Sequence, residues 1–210
     1  AGTSIENALG HFTGHSGRGG QDHRSIRMIE QPLLTPSLLK SKENMAELLS
    51  RIRYKYSAVK NPRNKFTVTK EQYITYYKFV FVRNPWARAF SWYKNVMRDE
   101  IHRKRHKITG DLLFKDFLRD NAGKGMLRQQ LYWIKSFDGS IKMDYIGRFE
   151  TLAEDFRHVC KAINLPQIEL PHRIQGEGQD YRKYYDNESI DIISTIYDEE
   201  IRVFGYSFCD

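Results

Sequence analysis

The run Lys78-Phe79-Val80-Phe81-Val82, followed at once by Arg83-Asn84-Pro85, narrows the possible folds of this chain more than any other stretch. A short continuous apolar run is the pattern of a strand buried on both faces of a parallel sheet. Asn84 suits a helix cap, and Pro85 suits the first turn, where a missing N–H costs nothing. Trp86, Phe90, Tyr93 and Met97 then recur at helical intervals. Arg83 is therefore predicted to stand at a strand-to-helix junction. In an open α/β sheet, ligands collect beyond the carboxyl ends of strands, and a helix start there turns N–H groups and a positive dipole end toward an anion. Ser91, eight residues on, lies about two turns into the helix and supplies a hydroxyl if its face is turned that way. The plain alternative is that Arg83 pairs with a carboxylate and Ser91 is small for close packing. For an isolated Arg-Asn-Pro that alternative is the favoured one.

The rest of the chain repeats the strand-and-helix theme. A second strand is predicted from Tyr145 to Phe149. After it come Thr151 and Glu154 at capping-box spacing, then Leu152, Phe156, Val159 and Ile163 on one helical face, ended by Asn164 and Pro166. Ile190, Ile193, Tyr197, Ile201 and Phe204 give a last amphipathic helix, stopped at Gly205. Upstream, Leu38, Leu39, Met45, Leu48, Leu49 and Ile52 form an approximate stripe in a helix from Ser37 to about Ser57. Thr69 and Gln72 fit a capping box for a short helix through Tyr76. The opening ten residues read as a tight turn running into a short helix, capped by Thr3 or Ser4 and stopped by Gly10. Strands interleaved with helices imply an α/β fold with a parallel sheet flanked by helices. Composition is even over all 210 residues, without linker, repeat or low-complexity tract, so a single domain, 1–210, is predicted.

Lys and Arg exceed Asp and Glu to give a net charge of +8, so the surface should attract anions: phosphate, sulfate, acidic polysaccharide or nucleic acid. Charge alone does not choose among them. No apolar run approaches the roughly 20 residues that span a bilayer, and the amino end lacks the order of a signal peptide, so the chain as given is predicted to be soluble. The two cysteines, Cys160 and Cys209, are too few for a disulfide framework and lack metal-ligand spacing; reduced thiols are expected.

The segment Phe79 to Tyr93 resembles the motif that binds the 3′-phosphate of 3′-phosphoadenosine 5′-phosphosulfate (PAPS) in sulfotransferases, particularly carbohydrate sulfotransferases and their bacterial relatives. In that family an Arg at a strand end and a Ser eight residues later hold the 3′-phosphate, and Arg83 and Ser91 match in identity and spacing. Ala1-Gly2-Thr3-Ser4-Ile5 resembles the end of the family's 5′-phosphosulfate loop, in which glycine, successive N–H groups, hydroxyls and a helix dipole cradle the anion. That loop opens with a Lys a residue or two earlier, after a buried first strand, and neither stands in the chain. The chain is therefore expected to start inside the motif, because a sheet without that strand would expose its neighbours' apolar edge; the alternative is that it lacks a catalytic lysine. Asp144 to Phe156 resembles the family's late strand-helix unit, and Tyr184 to Tyr206 its terminal helix. The resemblance implies a P-loop-like sheet, PAPS as donor with PAP as product, no metal, and a hydroxyl acceptor, most plausibly a carbohydrate. It implies that Gly2, Thr3, Ser4, Arg83 and Ser91 bind the donor. Arg173 and Arg182, in a loop that also holds His172, Gln175 and Tyr181, are candidates for a weaker phosphate contact or are plain surface arginines. The stretch from about Pro32 to Phe66 is longer than the family pattern requires and reads as an acceptor lid or an extra surface helix.

Sulfuryl transfer needs in-line geometry, stabilisation of charge on the leaving phosphate and a base for the acceptor hydroxyl. His23 stands where related sulfotransferases carry a histidine, and Asp22 or another carboxylate would orient it; His15 and His11 are rivals. Glu6, one turn past the loop, is a further base candidate, its plain role being to favour the helix start. His102-Arg103-Lys104-Arg105-His106-Lys107 reads as a solvated loop, or as a patch that steers a polyanionic sugar. Gln129, Gln130, Tyr132 and Trp133 suit either an acceptor cleft or a core. The competing function is a non-enzymatic domain that binds nucleic acid or another polyanion through its basic face and 13 tyrosines, but no zinc, RRM or helix-turn-helix signature accompanies the charge. A P-loop kinase is disfavoured, since no full Gly-x4-Gly-Lys-Ser/Thr string occurs. The expected compartment is a bacterial cytoplasm, or a Golgi lumen if an anchor precedes the chain.

Overall fold

The computed structural model describes residues 2–15, 19–31, 35–166, 168, 170 and 180–210. Helices α1 (Gly2–Ala8), α2 (Ile26–Ile29), α3 (Pro36–Lys40), α4 (Lys42–Tyr56) and α5 (Lys70–Thr75) precede strand β1 (Phe79–Val82). Helices α6 (Pro85–Arg98), α7 (Glu100–Arg105), α8 (Phe114–Asn121) and α9 (Gln130–Ile134) lead to strand β2 (Tyr145–Arg148), and α10 (Leu152–Ala162), α11 (Asn187–Ile196) and α12 (Asp198–Phe204) follow. The two strands pair in a small parallel sheet flanked by helices. The N–H groups of Asp144 and Tyr145 both donate to the Lys78 carbonyl, at 2.7 and 3.2 Å. Gly147 lies so close to the Phe81 ring that a Cβ there would fall 2.7 Å from it.

The chain forms two compact units, each drawn from two stretches: Ala1–Phe81 with Leu131–Arg173, and Val82–Gln130 with Ile174–Asp210. Because each unit uses both halves of the sequence, no compositional boundary separates them.

In the first unit, Ile5 of α1 packs with Phe156 and Cys160 of α10, and Phe79, Phe81 and Leu152 close around them. Full burial of such side chains contributes about 1.5–3 kcal/mol each. The α4 region departs from its predicted pattern. Ser41 breaks the expected helix in two by accepting from the Asn44 N–H, so α3 and α4 are separate. The buried face of α4 is polar, with Asn44 and Glu47, whereas Met45, Leu49 and Ile52 are exposed; of the stripe residues on α3, Leu38 is buried and Leu39 exposed. Arg27, 3% exposed, explains the reversal. Its guanidinium pairs with Glu43 at 3.0 Å, reaches Asn44 Oδ1 and the Tyr132 carbonyl, and stacks over the Tyr132 ring. Glu47 accepts from the hydroxyls of Ser25 and Tyr132. Once buried, a guanidinium requires these partners, and the helix turns its polar side to supply them.

In the second unit, α6 buries Trp86, Ala89, Phe90 and Val96. Phe90 meets Phe114 of α8 edge-on at 5.5 Å. The Tyr197 hydroxyl takes the Gly123 N–H and donates to the Leu127 carbonyl. That anchor falls at the break between α11 and α12, which the sequence pattern joined into one helix. Gly205 ends α12 in the left-handed conformation, φ 63°, as expected of a glycine C-cap.

Three further local expectations change. β1 is half-buried over Phe79, Val80 and Phe81 rather than covered on both faces, since it pairs with one strand in a two-stranded sheet. α1 begins at Gly2, so Thr3 and Ser4 lie in its first turn instead of capping it. Thr151 makes no cap bond to α10; its hydroxyl donates to Asp155 Oδ2 at 2.8 Å. The Thr69–Gln72 capping box is present as expected, with both bonds made, at 3.1 and 2.9 Å.

Candidate functional site

The Arg83 junction lies in the second unit and is pinned through the Val82 carbonyl, both backbone groups of Arg83, and the carbonyl and side chain of Asn84. Val82 offers its carbonyl to the Tyr206 hydroxyl at 3.3 Å. Arg83 donates its N–H to Gln130 Oε1 at 2.8 Å, and its carbonyl accepts from Gln130 Nε2 at 2.9 Å. Asn84, 1% exposed, accepts from the Trp86 and Ala87 N–H groups and donates to the Ser207 carbonyl at 2.7 Å. One sequence expectation is corrected by this geometry. The start of α6 was predicted to offer unpaired N–H groups to an anion. Pro85 has none, Asn84 Oδ1 takes those of Trp86 and Ala87, and the Asn84 carbonyl takes that of Arg88 at 2.8 Å. These three N–H groups are therefore occupied within the protein; Arg83 and Ser91 at this junction are both half-buried.

The first unit carries the other candidates. Gly2, Thr3 and Ser4 lie in the first described turn of α1. Gly2 is exposed, and a Cβ there would meet nothing within 4 Å. Glu6 follows on the same helix. Its Oε1 accepts from the Asp22 N–H at 2.8 Å and lies 3.8 Å from His11 Nε2. Burial raises its pKa above the usual carboxylate value, opposed by the Asp22 N–H and by the nearby charges of His11 and His23. Glu6 thus has both histidines as neighbours.

The histidines differ in their anchoring. His23 is exposed. Asp22, expected to orient it, is instead held by Arg24 through a two-oxygen fork, with contacts of 2.7 to 3.0 Å. His11 Nε2 lies 2.7 Å from Asn64 Oδ1. The Asn64 amide is oriented by its Nδ2 donating to the Gln21 carbonyl at 3.1 Å, so its oxygen faces the imidazole and Nε2 carries the proton. Buried Asn61, in the same 3-10 turn region, donates to the His11 and Gly20 carbonyls. Sequence reasoning had no role for this turn; its only local signal was an asparagine on either side of Pro62-Arg63.

Arg182 is exposed and committed to Asp180, 2.7 Å away, and to the Cys209 carbonyl; the Asp180 bond raises its pKa. Arg173, with His172 and Gln175, lies outside the described residues. The acceptor-cleft residues are otherwise employed: Gln130 is buried against Arg83, Gln129 donates to the Ile196 carbonyl at 2.6 Å, and Tyr132 serves Arg27 and Glu47. The basic run is helical through Arg105, not a loop, and His102 and His106 lie edge-on to Trp92. Both cysteines are free thiols. Among the described residues no group of three or more His, Cys, Asp or Glu side chains is placed to hold a metal ion, and no helix is long and apolar enough to cross a membrane.

Comparison with known proteins bears on these residues. The model described as "Sulfotransferase family" matches residues 28–207, which include Arg83, Ser91, Gln130 and Arg182 but not Gly2, Thr3, Ser4, Glu6 or His23. The chain is 34% identical over 117 residues to an uncharacterized protein of Archaeoglobus fulgidus, covering 55% of this chain and 91% of that protein. It is 27% identical over 121 residues to carbohydrate sulfotransferase 14 of Danio rerio, covering 47% of this chain and 33% of that relative's length. No solved structure matches it.

Proposed function

Because the chain belongs to the sulfotransferase family, we propose that residues 1–210 act as one sulfotransferase domain on a P-loop-like sheet, moving a sulfuryl group from PAPS to a hydroxyl of a carbohydrate and releasing PAP. The observation that carries this reading is the junction itself. Arg83 stands at the end of β1 with its backbone fixed on both sides, and Ser91 follows on α6 within the family match. In this reading the Arg83 guanidinium and the Ser91 hydroxyl take the 3′-phosphate; a guanidinium suits it because its fork matches two oxygens at once. The N–H groups of Gly2, Thr3 and Ser4, with the two hydroxyls, take the 5′-phosphosulfate. Arg173 and Arg182 supply weaker phosphate contacts, for which Arg182 leaves Asp180.

In the transfer step an acceptor oxygen attacks sulfur, the bond from sulfur to the 5′-phosphate oxygen breaks, and PAP leaves with the electron pair. The acceptor's proton passes to a base. His23 and Glu6 are the proposed pair, and the burial that raises the Glu6 pKa makes it a better proton acceptor than an ordinary carboxylate. The carbohydrate acceptor rests on the likeness to a carbohydrate sulfotransferase.

The test is incubation with PAPS carrying labelled sulfate and a panel of glycans. Transfer to a glycan with release of PAP is the expected result. Absence of both PAP binding and transfer, with salt-sensitive binding to any polyanion, would overturn the reading in favour of a non-enzymatic polyanion binder.

A further inference from the structure

The pinning of Arg83 has a source 47 residues away in sequence. Gln130 engages Arg83 through both ends of its amide: Oε1 accepts from the Arg83 N–H and Nε2 donates to the Arg83 carbonyl, at 2.8 and 2.9 Å. These are the two bonds a neighbouring strand would make, delivered by a side chain just past the last residue of β1. The same Nε2 lies 3.2 Å from Glu200 Oε1, and Glu200 also accepts from the Gln130 main-chain N–H. A carboxylate can only accept, so it forces the amide nitrogen to its side and leaves the amide oxygen for Arg83. Glu200, on α12, is 0% exposed. Its charge faces the Arg88 guanidinium on α6 and the Tyr197 hydroxyl. From this fully buried position Glu200 fixes Gln130 at both its main-chain N–H and its side-chain amide.

We infer that Gln130, locked by Glu200, is a positioning residue for Arg83, fixing the point from which the guanidinium reaches the 3′-phosphate of the donor. The inference rests on the proposed reading of Arg83. It gives the closing helix α12 a part in donor selectivity, through Glu200.

The experiment measures PAP and adenosine 5′-monophosphate, which lacks the 3′-phosphate, binding to the wild type, to Gln130→Met and to the exchanged pair Gln130→Glu with Glu200→Gln. The wild type is expected to prefer PAP. Gln130→Met is expected to lose about tenfold in PAP affinity, the equivalent of one good hydrogen bond, with adenosine 5′-monophosphate affinity unchanged. The exchanged pair keeps the carboxylate-amide contact and the bond to the Arg83 N–H but turns an acceptor onto the Arg83 carbonyl, so it too is expected to lose PAP selectively, which keeps the test in force should the Gln130→Met protein not fold. A general loss of structure weakens both ligands alike; loss of positioning weakens one. A wild type that prefers PAP, with both variants keeping that preference, overturns the role of Gln130 alone. A wild type that binds the two ligands equally overturns the reading of Arg83 and this inference with it.

Discussion

Replacing Asn84 by Ala removes three bonds at one buried point. The two cap bonds, at 3.0 and 3.2 Å, go to N–H groups of buried Trp86 and Ala87, and the third, at 2.7 Å, goes to the Ser207 carbonyl. Loss of an N-cap costs about 1–2 kcal/mol, and loss of the bond to Ser207 about 1 kcal/mol more. The expected destabilisation is therefore about 2–3 kcal/mol, or roughly 5–10 °C in midpoint for a chain of this size. Thr151→Ala is the matched control. Its sequence looks equally like a cap, yet the structure gives Thr151 no cap bond and an exposed contact to Asp155, so about 0.5 kcal/mol or less is expected. Urea unfolding followed by tryptophan fluorescence reads both variants, because Trp86, 4% exposed, sits on the cap. Equal losses in the two variants, or an Asn84→Ala loss under about 1 kcal/mol, would refute the claim that the cap geometry holds the junction.

Two further expectations concern titration. Burial raises the Glu6 pKa, so the stability this group contributes is present below the ordinary carboxylate range and is lost as pH rises through the folded value. Glu6→Gln should accordingly gain stability relative to wild type between about pH 4 and pH 8, measured as the difference in urea midpoint, and lose transferase activity; a variant less stable at the alkaline end contradicts the first part. Asp186 is held down to about 2 by the Ser189 hydroxyl and N–H and by Lys115, and Asp138 to about 2 by Lys142 and Ser140. Their contribution is present above the ordinary aspartate value and disappears as pH falls toward 2, so Asp186→Asn should flatten the acid limb of the stability curve. An unchanged limb counts against it.

What was legible in the sequence was what local chemistry decides. The apolar run of β1, Asn84 before Pro85, the Thr69–Gln72 box and Gly205 all work within a few residues, and all are found in the structure. What was illegible depends on partners far along the chain. The apolar stripe of α4 predicts a buried face, but Arg27 and Tyr132 arrive from other elements and reward its polar side. The pattern from Ile190 to Phe204 carries no sign that the Tyr197 hydroxyl would anchor at Gly123 and Leu127 and break the helix. At the candidate site, Arg83 and Ser91 were nominated by resemblance to the family's 3′-phosphate motif, and the structure adds the fixed backbone of Arg83. The Gln130–Glu200 clamp and the Asn64–His11 contact were not, because a glutamine or asparagine in a polar stretch has no local mark that distinguishes it from a solvated one. The expected donation of α6 N–H groups to an anion failed for a related reason: the very cap that marks the helix start uses up its N–H groups.

The central claim is that Arg83 and Ser91 hold the 3′-phosphate of a sulfate donor. Calorimetric titration of PAP into wild type, Arg83→Ala and Ser91→Ala, with adenosine 5′-monophosphate alongside, tests it most directly. A charge-assisted bond contributes about 1.5–3 kcal/mol, so Arg83→Ala should weaken PAP by about tenfold to a hundredfold, Ser91→Ala by less, and neither should change the weaker ligand. PAP affinity equal in all three proteins would contradict the account.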